Sequence, residues 1–168
     1  MAYRILDVHR DVPEAWRWMP DLLTRIRNFC VATDPETDPR EAEDFVRGAF
    51  CVGDLRQRVW LALGDGIVGH LWATVEPHHA QAYRHVLIRQ AEIDERINLG
   101  EFPTQVFAEV EKWTKGLGLE RLLMLTHRNP GAMERAWGFQ KYKSVMVKTL
   151  NRHEVGNGIS IVNLKPPM

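Results

Sequence analysis

The stretch NLGEFPTQVFAEVEKW, residues 98–113, joins a strand-like run to an amphipathic helix. A glycine loop at such a junction can cradle a pyrophosphate, because unpaired amides and the helix dipole favour an anion and glycine lets it approach. Here the junction holds Gly100, then Glu101 and Pro103. The run before it closes on two carboxylates, Glu92 and Asp94, and the apolar run RLLMLT after the helix leads into His127. Carboxylates and imidazoles are the side chains that take and give protons. The plainer alternatives are solvated surface charge for Glu92 and Asp94, and a loop histidine bonded to backbone for His127.

Other chemistries find little support. EPHHAQ (76–81), with His70 and His85, invites a metal, but no His-x-x-x-His lies on a helical segment and no cysteine pair is near. No metal site is expected. The two serines, Ser144 and Ser160, sit in no Gly-x-Ser-x-Gly elbow. Cys30 and Cys51 fall on helical stripes and read as buried, unreactive, unpaired thiols.

The elements that must position these groups follow from periodicity. Residues 3–8 read as a strand. Pro13 opens a helix with Trp16, Met19, Leu22, Leu23, Ile26 and Phe29 at helical spacing, and Pro20 predicts a kink or break near Met19. TDPETDPR (33–40) is turn chemistry that starts a second helix, with Ala42, Phe45, Val46, Ala49 and Phe50 on one face. Residues 58–63 and 67–75 form a hairpin about Gly64-Asp65-Gly66. Residues 83–93 make a third long strand. A helix over 103–115 carries Val106, Phe107, Val110, Trp113 and Leu117 on one stripe and is ended by Gly116 and Gly118. Residues 121–126 form a buried strand, 130–137 a short helix, 142–150 a last strand, and the tail holds one more candidate at 159–164. Most of the six tryptophans read as core, with Trp18 off its helix's apolar stripe.

The order β-α-α-β-β-β-α-β-α-β predicts an α/β (α+β) domain. Its sheet is mixed and largely antiparallel, flanked by helices, with one parallel step around the 103–115 helix. The chain has 168 residues, with 22 basic and 22 acidic side chains. That length suits one domain, and the zero net charge argues against direct nucleic-acid binding. No apolar run approaches the ~20 residues of a membrane span. The opening MAYRILDVHR is too charged for a signal peptide, so a cytoplasmic location is expected.

The second half, EVEKWTKGLGLERLLMLTHRNPGAMERAWGFQKYKSVMVKTL, and the hairpin GDGIVGHLWATV resemble the GCN5-related N-acetyltransferase (GNAT) family in order and spacing. The resemblance covers residues 1–150 as one domain and leaves 151–168 as a tail, either an extra strand or an assembly arm. It implies transfer of an acetyl group from acetyl-CoA to a small-molecule or protein amine. It places the cofactor loop on Arg96, Asn98, Leu99 and Gly100, with Asn129 matching a family asparagine that often touches the cofactor; Asn129 reads equally as a helix cap. It makes Glu92 and His127 the candidate catalytic bases, with Asp94 beside Glu92, and a strand N–H near residues 91–93 the donor that polarises the acetyl carbonyl.

Two departures from the family pattern stand out. Glu101 and Pro103, or Leu99 and Glu101 in a shifted alignment, occupy slots the family fills with small residues. A like charge at contact distance costs about 1 kcal/mol even in water, and proline has no N–H to donate. Glu134 stands where many members carry a general-acid tyrosine. The sequence therefore supports a divergent acyl-CoA N-acyltransferase. The alternative is a silent GNAT-fold structural protein with protein partners or self-assembly, similar to those encoded beside bacteriophage structural genes and located in the virion, which would need no cofactor.

Overall fold

The computed structural model describes residues 3–33, 37–77, 84–94, 101–124, 135, 138 and 139. The elements run β1 (Arg4–Val8), α1 (Pro13–Thr33), α2 (Pro39–Val52), β2 (Gln57–Leu63), β3 (Ile67–Pro77), β4 (Arg84–Ile93), α3 (Glu101–Gly116) and β5 (Leu122–Met124). The strands form one sheet in the order β1-β2-β3-β4-β5. Every neighbouring pair is antiparallel except β4 and β5, which are parallel and joined through α3. This is the expected mixed sheet. The expected helix at 130–137, the strand at 142–150 and the tail lie outside the described residues.

Each face of the sheet has its own core. Leu6, Val8, Val59, Leu61, Leu63 and Trp72 meet Met19, Leu22, Leu23 and Ile26 of α1 and Val46 and Phe50 of α2. On the other face Trp60, Ala62, Leu71, Ala73, Val86 and Ile88 meet Val106, Phe107, Val110 and Trp113 of α3. Alternation along the strands divides the apolar side chains between the two layers. Trp60 and Trp113 pack edge to face, with centroids 5.7 Å apart.

Local chemistry sets the helix ends. Asp38 caps α2 by accepting the Arg40 N–H at 2.8 Å, with Pro39 opening the helix. Gly53 ends it at φ 70°, while the Asp54 N–H donates to the Ala49 carbonyl at 2.8 Å. The same closure recurs after α3, where Gly118 takes φ 70° and the Leu119 N–H donates to the Thr114 carbonyl at 3.1 Å.

The structure corrects several expectations. Of the kink or break expected near Met19, the break does not occur: α1 runs through Pro20, with Met19, Leu22, Leu23 and Ile26 packed on the sheet on both sides of the proline. Trp16 and Phe45, expected on buried stripes, are more than half exposed. Trp18 is the tryptophan of α1 that packs on the core. Cys51 is exposed rather than buried, while Cys30 is buried, and both are free thiols. Gly118 alone supplies the left-handed residue after α3, whereas Gly116 is still helical. Leu117 is 40% exposed and β5 is half-buried rather than buried. α3 starts at Glu101, two residues before its expected start at Pro103. Glu101 and Pro103 therefore belong to its first turn, where an acidic residue suits the dipole and proline costs no helical bond. Among the described residues, no helix is long and apolar enough to cross a membrane.

Candidate functional site

The candidate site is built on β4. Its pairing with β3 runs in register from Pro77↔Arg84 to Ala73↔Ile88, then resumes at Trp72↔Gln90. Arg89 is the extra residue, a β-bulge. An inserted residue reverses which side chains face which layer. Before it, Val86 and Ile88 point into the α3 core. After it, Gln90 and Glu92, still even-numbered, turn to α1 instead. Pairing with β5 spans Val86↔Leu122 to Ile88↔Met124. Among the described residues, β4 from Arg89 to Ile93 is paired on its β3 side only.

Glu92 is at this open stretch, directly opposite His70 on β3. Arg25 of α1 donates from Nη1 to Glu92 Oε2 at 3.2 Å, and His70 Nδ1 lies 3.3 Å from the same oxygen. The imidazole contact is close but not aligned as a hydrogen bond. The His70 ring beside it holds the Glu92 carboxyl below its ordinary range; partial burial opposes this, Arg25 reinforces it, and Asp94 opposes it. Glu92 therefore stays ionised at neutral pH. Among the described residues Oε1 has no hydrogen-bond partner, and the side chain is 40% exposed. Among the described residues the carboxylate is thus held at one oxygen and unpartnered at the other.

His70 is fully buried, with Nε2 3.1 Å from Gln90 Oε1, and the Phe29 ring stands edge-on to it at 6.2 Å. The Gln90 amide nitrogen reaches Cys30 Sγ at 3.2 Å. Arg89, in the bulge, donates from Nε to the Thr74 hydroxyl at 3.0 Å and pairs with Glu76. Burial would raise the Glu76 carboxyl, but its bonds from Thr74 and Arg89 and the charges of Arg89 and His85 outweigh that and lower it.

Of the residues singled out by sequence, Glu92 occupies this site. Asp94 follows β4, where its N–H donates to the Val68 carbonyl at 2.7 Å. Arg96, Asn98, Leu99, Gly100, His127, Asn129 and Glu134 lie outside the described residues, as does the His78-His79 pair. Among the described residues no cluster of three metal-ligating side chains occurs. Sequence reasoning missed Arg25, His70, Gln90 and Arg89 as parts of the site. One signal for them was present. In VLIRQAEI the apolar phase is even at Val86 and Ile88 and odd at Ala91 and Ile93, the mark of an inserted residue.

No protein-family model matches the sequence, and no curated protein matches it. Solved structures do. A predicted acetyltransferase from Clostridium acetobutylicum, solved with acetyl-CoA, is 13% identical over 91% of this chain and 98% of the other, with a TM-score of 0.66. An aminoglycoside antibiotic 6'-N-acetyltransferase from Acinetobacter baumannii is 16% identical over 89% and 99%, at 0.63. A glucosamine-6-phosphate N-acetyltransferase from Arabidopsis thaliana is 12% identical over 90% and 100%, at 0.61. The mixed sheet with its flanking helices is a GNAT-like fold.

Proposed function

We propose that the chain is an acetyl-CoA-dependent N-acetyltransferase in which Glu92 takes the proton from the acceptor amine. The observation that carries this reading is the Glu92 carboxylate itself. It is ionised, held at Oε2 by Arg25 with His70 beside it, and among the described residues free of a partner at Oε1 and along the β4 edge past Ile88. A general base needs that combination of charge, fixed position and access. The likeness to solved acetyltransferases, one of them holding acetyl-CoA, supports the choice of reaction.

The residues present suit the cofactor in one respect and oppose it in another. Among the described residues the β4 edge past Ile88 lies outside the β4–β5 ladder, whereas the first turn of α3 sets the acidic Glu101 and the donor-less Pro103 where an anion would bind. Backbone of residues 89–93 would hold the acyl arm, and Arg96, Asn98, Leu99, Gly100 and Asn129 are the proposed contacts to the rest. Acetyl-CoA supplies an activated acyl group when bound. The chain's own work is to align the amine against it and to remove a proton at Glu92 Oε1, directly or through one water. Substitution of Glu134 for tyrosine leaves water to protonate the departing thiolate.

The test is thiol release from acetyl-CoA in the presence of a panel of small amines and lysine peptides. Amine-dependent release supports the reading. No release with any amine would favour the silent structural alternative, and release independent of amine would mean hydrolysis rather than transfer to an amine.

A further inference from the structure

A second opening lies away from Glu92, where β1 stops and β2 starts. It is a cavity of about 190 Å³ between those strands and helices α1 and α2. Val8, Met19, Val46, Phe50 and Val59 line it, and each is buried. β3 stands between β2 and β4, so two strand spacings, about 10 Å, divide the cavity's β2 wall from the Glu92 strand. The ionisable and amide side chains that line the cavity are engaged already. His9 Nδ1 lies 3.2 Å from Asp11 Oδ2. Arg10 donates from Nη1 to the Val52 carbonyl at 3.0 Å, with Asp11 3.7 Å from its Nε. Asp54 accepts from Arg56 Nη2 at 2.8 Å, and Arg58 Nε donates to Asp7 Oδ1 at 2.8 Å. Gln57 accepts from Trp72 Nε1 at 3.0 Å and donates to the Phe45 carbonyl at 3.3 Å.

We propose that this cavity is a binding site for one compact, uncharged aromatic molecule. Size sets the first limit. An apolar cavity of about 150 Å³ takes up benzene, so this one suits a single ring with a small substituent. Charge sets the second limit. An ion entering would shed its water and meet no free counter-charge, because the ionisable groups around it are bonded to partners of their own. The wall favours a ring. Phe50 is held edge-on to Trp16, with centroids 4.7 Å apart, and an aromatic ligand gains a further ring contact there. Leu55 also lines the cavity and is 68% exposed. A ligand seated against it would cover apolar surface that water now meets. Such binding requires neither Glu92 nor acetyl-CoA.

The test is an NMR titration of the full chain, labelled with 13C at the methionine methyl groups, with toluene, benzoate and benzylamine in turn. The Met19 signal is assigned by its loss in Met19→Leu. A saturable shift of the Met19 methyl with toluene is expected, with the two charged probes weaker by at least about tenfold. Ala49 lies on the cavity wall, and Ala49→Leu should fill the space and abolish the toluene shift. Val46→Ile adds one methylene to the same wall, a change small enough to keep the fold, and should weaken toluene binding. Circular dichroism reads the fold of both variants; should Ala49→Leu fail to fold, Val46→Ile alone decides. No saturable Met19 shift up to the solubility of toluene would overturn the proposal. Equal binding of all three probes would also overturn it, as would toluene binding left unchanged by filling the wall in folded protein.

Discussion

Glu92 and His70 face each other across β4 and β3, three residues past the bulge at Arg89. Gln90 and Glu92 point toward α1, where Arg25, Ile26 and Cys30 receive them. Deleting Arg89 is expected to close the bulge with the flanking pairs Ala73↔Ile88 and Trp72↔Gln90 kept, so Glu92 stays opposite His70. The melting temperature should fall with the loss of the Arg89 bonds to Thr74 and Glu76 while acetyl transfer is retained, read by circular dichroism and thiol release.

Glu92→Gln keeps the shape of the side chain and removes the base. Turnover should fall by about 10² to 10⁴, the usual worth of general base catalysis. Binding of acetyl-CoA, measured by calorimetry, should change little, because Glu92 is read as facing the amine.

The same carboxylate gives a pH signature in stability. Its folded value lies below the unfolded one, chiefly because of the His70 ring. The stabilisation is therefore present above the unfolded value and is lost as pH falls through the folded value. Melting temperatures of wild type and Glu92→Gln should differ most above the unfolded carboxylate value of about 4.3, with wild type the more stable, and converge as pH falls through the lowered folded value.

Two glycines of α2 should respond with opposite signs. A Cβ at Gly53 would sit 2.7 Å from Arg10 Nε on a residue at φ 70°. Gly53→Ala should cost about 1 kcal/mol or more in denaturant melts. Gly48 is helical with open space around its Cβ position, so Gly48→Ala should stabilise by about 0.5–1 kcal/mol.

Trp60 is 1% exposed and stacks edge-on against Trp113. Trp60→Ala should destabilise by about 3–5 kcal/mol in urea unfolding, from lost burial and the cavity left behind.

The fold was largely legible in the sequence because alternation and helical spacing report burial directly. Gln57–Leu63, Ile67–Pro77 and α3 were all anticipated to within two residues at each end. Trp16 was misplaced because periodicity cannot tell a side chain in the core from one lying on Phe50 at the helix edge, where Trp16 also donates to the Arg10 carbonyl at 2.7 Å. Glu92 was legible as a carboxylate near a strand end. Its partners were not, since Arg25 is 67 positions away in the chain and the two meet only after folding. The sequence offers His70 only as a metal ligand, because Gln90 and Glu92 reach it from a different strand.

The central claim is that this chain binds and uses acetyl-CoA, and calorimetric titration of the full chain with acetyl-CoA tests it most directly. The expected result is one site of micromolar affinity, about −8 kcal/mol, accompanied by a rise in melting temperature. No heat at millimolar acetyl-CoA and no thermal shift would contradict it, and would favour the structural-protein alternative.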